Sequence, residues 1–228
     1  MTDHKGEEKL AGITWRDGVP ISRRFDDPYY TLSDGLAETE HVFLAGNALS
    51  ERWEGAREAH VAELGFGTGL NFLAAWRLWR RVATPGALLT FTSFERYPLT
   101  KEEMQRSLSN WPSLPFEALL DCWPFEGCVN FGDCRLELVL GDARETLPTW
   151  QGRAEAWFLD GFAPARNPEL WGADLLAQVA AHTSPGGTFA TYTAAGHVRR
   201  ALKEAGFNVR RIPGFAHKRH MSVGRLKA

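Results

Sequence analysis

A glycine-rich segment at residues 61–71, Val-Ala-Glu-Leu-Gly-Phe-Gly-Thr-Gly-Leu-Asn, constrains the fold of this chain more than any other feature. An apolar run ends at Glu63, glycines follow at every second position, and a helix is expected to start near Asn71. Glycine allows tight turns and a close approach of the backbone to a ligand. A loop of this kind delivers the ligand to a helix N-terminus at the switch point of an α/β sheet. The segment therefore predicts a nucleotide-like cofactor, the alternative being a plain strand-to-helix connection.

The spacing of the glycines discriminates between cofactors. A dinucleotide site requires G-x-G-x-x-G, whereas the last position falls here on Leu70 or Phe72 in the two available frames. Glu63, two residues before the first glycine, suits a ligand that carries an amine rather than a pyrophosphate. The pattern E-x-G-x-G-x-G resembles the first motif of class I methyltransferases, whose cofactor is S-adenosylmethionine. The predicted cofactor-binding residues in this segment are Glu63, Gly65, Phe66, Gly67, Gly69 and Asn71.

Length and composition favour one domain. A chain of 228 residues with 44% hydrophobic content can bury a sizeable core. It contains no run of about 20 apolar residues, and its first residues are too polar for a signal peptide. We expect a cytoplasmic monomer with an N-terminal extension over about residues 1–50 and a Rossmann-like core over 51–228. No metal site is predicted, because the spacing of the three cysteines matches no usual zinc pattern and reduced thiols are expected at Cys122, Cys128 and Cys134.

Apolar periodicity and turn residues divide the chain into alternating strands and helices. Helices are expected over 70–82, 173–182 and 196–205, and a capping box from Thr100 to Glu103 starts another. Strands are expected over 88–94, 135–141, 156–160, 188–193, 208–212 and 221–226, with an irregular connection over 111–134. This alternation predicts an α/β fold with a mostly parallel sheet and helices on both faces. The two closing strands have no helix between them, so the last should be antiparallel, similar to the seven-stranded sheet of class I methyltransferases.

Four acidic residues fall at the carboxyl ends of expected strands, where ligand groups collect in an open α/β sheet. They are Glu63, Glu95, Asp142 and Asp160. Glu95 is placed to accept hydrogen bonds from both ribose hydroxyls, and Asp142 to accept one from an adenine amino group while Ala143 offers its backbone N–H. Asp160 lies where the methyl group should face the acceptor. The alternative for each acid is a helix cap or a turn residue.

The charge of the chain is unevenly distributed. The net charge is −2, yet residues 197–228 contain nine Lys or Arg residues against one acid. A basic region on an otherwise acidic chain is what a polyanion-binding face requires. The residues predicted to contact such a polyanion are Arg210, Arg211, Lys218 and Arg219. The alternative is solvated charge on a terminal hairpin.

The segment from Phe158 to Trp171, Phe-Leu-Asp-Gly-Phe-Ala-Pro-Ala-Arg-Asn-Pro-Glu-Leu-Trp, makes the resemblance specific. With three other segments it resembles the methyltransferase domain of the MnmC family, bacterial enzymes that modify wobble uridine in certain tRNAs. The other three are residues 63–71, residues 217–221 and a split N-terminal segment, Leu32-Ser-Asp-Gly-Leu-Ala-Glu-Thr39 with Val42-Phe-Leu-Ala-Gly-Asn47. Together they extend from about residue 25 to residue 222.

The resemblance implies that S-adenosylmethionine methylates the amine of 5-aminomethyl-(2-thio)uridine in tRNA, giving the methylaminomethyl base. It implies that Glu63, the glycines, Glu95 and Asp142 bind the cofactor and that Asp160 is catalytic. Methyl transfer is an in-line displacement, so the protein mainly holds the reacting atoms in alignment. Asp160 would orient the amine and accept its proton late, because a carboxylate cannot lower the pKa of an amine.

Two further groups of residues are expected near the substrate. An apolar wall on which an extruded base could stack is predicted from Phe162, Pro164 and Trp171, the alternative being core packing. The resemblance also implies a lid in the N-terminal extension, formed by Tyr29, Tyr30, Asp34 and Gly35.

Alternative functions follow from the same residues. The chain could methylate a small amine or a protein, transfer an aminopropyl group from decarboxylated S-adenosylmethionine, which Glu63 disfavours, or bind cofactor and RNA without catalysis. In many bacteria the resembling domain is fused to an FAD-dependent oxidase. The sequence contains no second glycine fingerprint, so a stand-alone or truncated methyltransferase without the oxidase domain is expected, and the oxidase becomes a separate or fused partner.

Overall fold

The computed structural model describes residues 11–31 and 34–227. The polar start of the chain, Leu32 and Ser33 of the split N-terminal segment, and Ala228 lie outside the described residues. The described chain begins with a small antiparallel sheet of β1 (Ile13–Arg16), β2 (Val19–Ser22) and β3 (Asp27–Pro28). Asp17 and Gly18 join the first two strands with positive φ angles of 49° and 79°, the conformation that a two-residue hairpin turn requires.

The main sheet contains eight strands within the described residues, in the order β10-β11-β9-β8-β4-β5-β7-β6. Strands β4, β5, β7, β8 and β9 are parallel neighbours, and β11 is inserted antiparallel between β9 and β10. The predicted α/β fold and the antiparallel last strand are therefore confirmed. The strand bounds are β4 Glu58–Leu64, β5 Leu88–Glu95, β6 Gly127–Asn130, β7 Cys134–Leu140, β8 Ala154–Leu159, β9 Thr183–Thr191, β10 Phe207–Pro213 and β11 His220–Leu226.

Helices cover both faces of this sheet. Alternate residues of one strand face opposite sides, and Val61 and Phe158 belong to one apolar cluster while Ala62 and Trp157 belong to the other. The helices are α1 Gly35–Thr39, α2 Leu49–Trp53, α3 Leu70–Val82, α4 Lys101–Leu108, α5 Phe116–Cys122, α6 Ala143–Thr146, α7 Ala173–Ala181 and α8 Gly196–Glu204. A π-helical turn covers Glu40–Ala45, and short 3-10 turns cover Leu147–Thr149 and Pro168–Trp171. The capping box at Thr100 and Glu103 is present.

Two regions differ from the sequence prediction. Residues 111–134, expected to be irregular, contain α5 and the edge strand β6, which adds an eighth strand to the predicted seven. Strand β9 begins at Thr183 rather than at residue 188, because Pro185-Gly186-Gly187 lies inside a bulged part of the strand. The pairing shifts there from Thr183 opposite Ala154 to Thr188 opposite Ala156. A bulge can contain a proline because the bulged residue makes no ladder hydrogen bond, and proline has no N–H to donate to one.

Polar side chains anchor the N-terminal region to the sheet. Asn47 donates from Nδ2 to the carbonyl oxygens of Phe43 (3.0 Å) and Trp157 (3.3 Å), and it accepts from Thr188 Oγ1 at 2.7 Å. Arg52 of α2 donates to the carbonyl of Glu155 at 3.1 Å. The expected boundary at residue 50 falls inside α2. Among the described residues, no helix is long and apolar enough to span a bilayer.

Candidate active site

The main cavity opens at the carboxyl ends of β4, β5, β7 and β8, and the N-terminal region closes its other side. Its volume is about 1,150 Å³, which is above the ~300–1,000 Å³ usual for a site that holds one small ligand. The four acids that the sequence placed at strand ends come together in or beside this cavity. The space suffices for a cofactor and part of a second molecule.

The glycine loop forms one wall of the cavity. Gly67 has φ 54°, and a Cβ added there would lie 3.1 Å from Tyr29 Cδ1. Tyr29 therefore lies over the loop, where the sequence placed a lid residue. Tyr30 also lines the cavity, and its hydroxyl is hydrogen bonded to Ser107 Oγ at 2.9 Å. Phe66 lines the cavity, and its ring stacks on that of Trp123, which is buried outside the cavity.

Gly69 has a structural role. It caps α3 with φ 79°, and a Cβ there would lie 2.9 Å from Leu119 Cδ2. It is not among the residues that line the cavity, unlike Gly65 and Gly67. The predicted contact of Gly69 with a cofactor is therefore indirect, because the residue shapes the loop rather than facing the ligand.

Glu95 is held in place by the backbone. Its Oε2 accepts from the N–H of Gly67 at 3.0 Å, and its Oε1 accepts from the N–H of Tyr97 at 2.6 Å. The side chain lines the cavity and is 9% exposed. Burial raises the pKa of Glu95, although the backbone hydrogen bonds oppose that shift. Backbone groups of Phe66 and Arg96 also bear on this carboxylate, which faces the part of the cavity where the hydroxyls of a ligand would lie.

The carboxylate of Asp142 is already engaged. It accepts from the backbone and guanidinium N–H groups of Arg144 and from Arg96 Nη1. These hydrogen bonds, chiefly that of the Arg144 side chain, lower the pKa of Asp142. The predicted hydrogen bond from an adenine amino group to this side chain therefore requires one arginine to move. Ala143, buried at the start of α6, lines the same end of the cavity.

Asn71 connects the remaining two acids. Its Nδ2 donates to Glu63 Oε1 at 2.9 Å and to Asp160 Oδ2 at 2.7 Å. Its Oδ1 accepts from Thr39 Oγ1 at 2.7 Å, so the amide is used on both sides. Ser93 Oγ donates to the second oxygen of Glu63 at 2.7 Å. This network fixes the position of Asp160 relative to the glycine loop.

Burial changes the protonation of both acids. The pKa of Glu63 rises well above its usual range, chiefly because the side chain is fully buried. Burial raises the pKa of Asp160 to about 6, although hydrogen bonds from the Gly161 N–H and Asn71 favour its charged form. At neutral pH Asp160 is therefore mostly a carboxylate, and its pKa lies closer to that pH than an ordinary aspartate does. A carboxylate with these properties suits general base chemistry.

Aromatic side chains form the wall opposite the sheet. Phe162 lines the cavity, stacks on Phe25 with ring centres 4.7 Å apart, and meets Tyr29 edge-on at 5.0 Å. Asp27 Oδ2 accepts from the N–H of Ala163 at 2.7 Å and thereby ties this loop to β3. Phe162 thus lies at the cavity wall, and its contact with a ligand stays a prediction.

Trp171 does not form part of this wall. It is 2% exposed, belongs to the apolar core, and donates from Nε1 to the carbonyl of Phe162 at 2.9 Å. The prediction that a base stacks on Trp171 is wrong, because no face of the indole is open to the cavity. The residue instead supports the loop that carries Phe162. Pro164 also does not line the cavity.

The four predicted polyanion contacts divide into two sets. Lys218 lines the cavity, and its Nζ lies 2.7 Å from Glu38 Oε1 and 4.1 Å from the centre of the Tyr192 ring. Arg210, Arg211 and Arg219 are exposed on β10 and the β10–β11 loop and do not line it. The field of Arg211, Arg219 and Arg199 lowers the pKa of His220 further than desolvation alone does. These three arginines therefore form one cluster next to Lys218, which we call the basic cluster.

Three residues of the cavity were not predicted from the sequence. Glu38 and Thr39 belong to the split N-terminal segment that carried the resemblance, but no pattern assigned them a partner. Tyr192, whose hydroxyl donates to the carbonyl of Gly161 at 2.8 Å, follows β9 without any local motif. The position of Tyr192 after a parallel strand, as for the four acids, is the signal that could have identified it.

Comparisons with known proteins identify the family of the chain. The model of a family described as S-adenosyl-L-methionine-dependent methyltransferases matches residues 100–227. The tRNA 5-methylaminomethyl-2-thiouridine biosynthesis bifunctional protein MnmC of Stutzerimonas stutzeri is 44% identical over 242 residues, covering 100% of this chain and 37% of that protein. The protein of the same name from Pseudomonas aeruginosa is 47% identical over 226 residues, covering 94% and 35%. The chain thus spans about a third of the length of these relatives.

Solved structures show the same architecture. The crystal structure of MNMC2 from Aquifex aeolicus matches with a TM-score of 0.76 and 26% identity, covering 92% of this chain and 67% of that one. TrmN from Thermus thermophilus matches with a TM-score of 0.51 and 20% identity over 94% of this chain and 54% of that one, which concerns the fold alone.

Proposed function

The chain belongs to the S-adenosyl-L-methionine-dependent methyltransferase family, and on that premise we propose that it methylates the amine of 5-aminomethyl-(2-thio)uridine at the wobble position of tRNA. The product is 5-methylaminomethyl-(2-thio)uridine. The observation that carries this proposal is the position of Asp160, a carboxylate at the cavity wall that Asn71 links to Glu63 beside the glycine loop. The printed names of the relatives at 44% and 47% identity supply the substrate class.

The cavity fits the cofactor. Gly67 leaves the space next to Tyr29 that a Cβ would fill, and Glu95 presents two oriented oxygens for ribose hydroxyls. Glu63, buried beside the glycine loop, accepts from Asn71 and Ser93 and so holds the Asn71 amide at the wall of the space that a ligand with an amine and a sulfonium would fill. When bound, S-adenosylmethionine supplies a methyl group on a positively charged sulfur. We therefore assign the cofactor end of the cavity to Glu63, Gly65, Phe66, Gly67, Asn71, Glu95, Asp142 and Ala143.

Asp160 acts on the acceptor amine. The amine nitrogen forms a bond to the methyl carbon while the carbon–sulfur bond breaks and its electron pair stays on sulfur. Asp160 accepts a hydrogen bond from the amine, so that the lone pair is directed toward the methyl carbon. The proton that leaves nitrogen passes to Asp160 directly or through water. Asn71 and the N–H of Gly161 hold the carboxylate in this orientation at 2.7 and 2.8 Å.

A wobble base must leave its stack to enter this cavity. The stacked Phe25 and Phe162 rings provide an apolar surface for it at the cavity wall. The basic cluster of Arg199, Arg211 and Arg219 lies beside Lys218 at the cavity edge and is placed to contact the phosphates of the flanking nucleotides. An enzyme with this substrate works in the cytoplasm, and its pairing with an FAD-dependent oxidase, fused or separate, stays part of the proposal.

Methyl transfer to tRNA tests the proposal. Radiolabelled S-adenosylmethionine is incubated with the protein and with tRNA that carries aminomethyluridine, and each sample is split for treatment with RNase. We expect label in the nucleic acid fraction that RNase releases, in a nucleoside heavier by one methyl group. Label in protein or in small molecules would support the alternative acceptors. A product heavier by an aminopropyl group would show aminopropyl transfer in place of methyl transfer. Glu95→Ala is the inactive control.

A further inference from the structure

Lys218 occupies a position unlike that of the other basic residues near the C-terminus. Its ammonium is 2.7 Å from Glu38 Oε1 and 4.1 Å from the centre of the Tyr192 ring. Glu38 is 10% exposed, and its other oxygen accepts from the N–H of Thr31 at 3.0 Å. Lys218, Glu38 and Asp160 all line the same cavity. The ammonium of Lys218 is therefore directed toward the cavity wall, while 43% of its side chain stays exposed to solvent.

We propose that Lys218 is a positioning residue that keeps the acceptor amine of the substrate unprotonated, by neutralising Glu38 and adding positive charge beside Asp160. This role rests on the proposed amine methylation. An alkylamine is mostly ammonium at neutral pH, and an ammonium has no lone pair with which to attack a methyl group. The reaction therefore needs a cavity that does not favour the charged amine.

The acids around the cavity work against that requirement. Asp27 on β3, Glu38 on α1 and Asp160 after β8 each line it, and each negative charge stabilises an ammonium. The Lys218 ammonium also covers the ring of Tyr192, and His217 and Arg219 are its neighbours in the chain. Burial beside Asp160 raises the pKa of Tyr192, so its hydroxyl stays neutral.

Lys218 offsets one of these negative charges. Its pairing with Glu38 leaves Asp160 as the carboxylate that handles the amine proton, and the positive field of Lys218 also favours the charged form of Asp160. The ion pair joins two segments 180 residues apart in the chain.

The pH dependence of single-turnover methylation separates this role from phosphate binding. Rates on aminomethyl-bearing tRNA, at saturating S-adenosylmethionine and tRNA, are compared for wild type, Lys218→Gln, Lys218→Arg, Glu38→Gln and the Glu38→Gln/Lys218→Gln double variant. For Lys218→Gln we expect the midpoint of the pH–rate curve to rise by about one unit, which is about tenfold in rate below the midpoint. Lys218→Arg should keep the midpoint near that of wild type, and the double variant should move it back because both charges are gone.

Other outcomes would contradict this role of Lys218 or the proposed function. An unchanged midpoint in folded Lys218→Gln overturns the proposal, and so does weaker tRNA binding with a flatter salt dependence in place of a shift. If Lys218→Gln does not fold, Glu38→Gln is compared with the double variant, and equal midpoints in that pair overturn it too. Absence of methyl transfer to tRNA by the wild-type protein contradicts the proposed function instead.

Discussion

Glu63 and Asp160, which lie at the ends of the adjacent parallel strands β4 and β8, share the two hydrogens of one side-chain amide. Asn71 Nδ2 donates to Glu63 at 2.9 Å and to Asp160 at 2.7 Å, and Thr39 holds the amide oxygen. The acid beside the cofactor loop and the acid at the acceptor side are thereby fixed to each other. A change at Asn71 should consequently affect cofactor binding and turnover together.

Replacing Asn71 with Asp tests this coupling. The substitution preserves shape but places a third carboxylate between two others, so both hydrogen bonds are lost and the charges repel. Each lost hydrogen bond to a charged group is worth about 1.5–3 kcal/mol. We expect cofactor affinity to fall at least tenfold and turnover to fall at least a hundredfold, measured by calorimetry and single-turnover rates. Thr39→Val, which removes only the hydroxyl that orients the amide, should give a smaller loss of both.

Glu95 should carry a large part of the cofactor affinity. Glu95→Ala removes a carboxylate that two backbone N–H groups orient toward the cavity. The loss of a two-pronged, charge-assisted contact to ribose should cost about 1.5–3 kcal/mol, or roughly 10- to 100-fold in Kd. Titration calorimetry with S-adenosylmethionine measures it, with Arg210→Gln as a surface control. Unchanged affinity would remove Glu95 from the site, and tight binding of NAD instead would contradict the cofactor assignment.

The basic cluster should determine how tRNA binding responds to salt. Replacing Arg199, Arg211 and Arg219 with Gln removes up to three phosphate contacts, so the slope of log K against log salt should drop by about 2–3. The apparent KM for tRNA should rise while cofactor affinity stays constant. The control is Arg57→Gln/Arg81→Gln, two exposed arginines that lie just before β4 and near the end of α3 and do not line the cavity. An equal change in the control would mean that no particular face binds the RNA.

Local sequence predicted the elements and the acids, because strand ends and glycine turns depend on neighbouring residues. Glu63, Glu95 and Asp160 line or adjoin one cavity for that reason. Which side chains pair with each other depends on how segments far apart in the sequence pack together, and local sequence does not predict that. The sequence indicated that residues 197–228 are basic but not that Lys218 turns inward to Glu38, nor that Arg96 and Arg144 engage Asp142.

The same limit explains the error at Trp171. Its position shortly after Asp160 suggested a place in the substrate wall, since nearby residues in a loop often face one ligand. Whether an indole faces a cavity or the core depends on the packing of α7 and β9, which no local pattern encodes. The structure buries the ring against Tyr192 and directs its N–H to Phe162.

Burial of Asp160 should reduce stability at neutral pH. The pKa is about 6 in the folded protein and about 3.9 in an unfolded chain. Between these values the folded state binds more protons, so the free energy of unfolding falls as pH rises from about 4 to about 6 and stays lower above that. The stability of Asp160→Asn relative to wild type should thus rise by about 1–2 kcal/mol between about pH 4 and about pH 6, after allowance for solvent contact.

Urea unfolding across this pH range measures the effect. Below about pH 4, where the aspartate is protonated in both states, the difference between Asp160→Asn and wild type should no longer change with pH. Asp142→Asn is the matched control with the opposite sign, because Arg144 lowers the pKa of Asp142 and its charged form stabilises the fold. A relative stability of Asp160→Asn that stays constant between about pH 4 and about pH 6 would contradict the raised pKa of Asp160.

Activity should change in the other direction. Asp160→Asn keeps an oxygen that can accept from the Gly161 N–H, but it loses the charge and cannot take a proton. We expect cofactor binding within a few-fold of wild type and turnover lower by roughly 10²–10⁴, the usual contribution of general acid–base catalysis. The wild-type rate should also rise with pH through the neutral range, because more of the substrate amine becomes free base. Single-turnover rates on aminomethyl-bearing tRNA test both expectations, and Asp27→Asn applies the same substitution to another carboxylate of the cavity wall. Near-normal turnover in Asp160→Asn would exclude an essential carboxylate and leave alignment of the reactants alone to account for the rate.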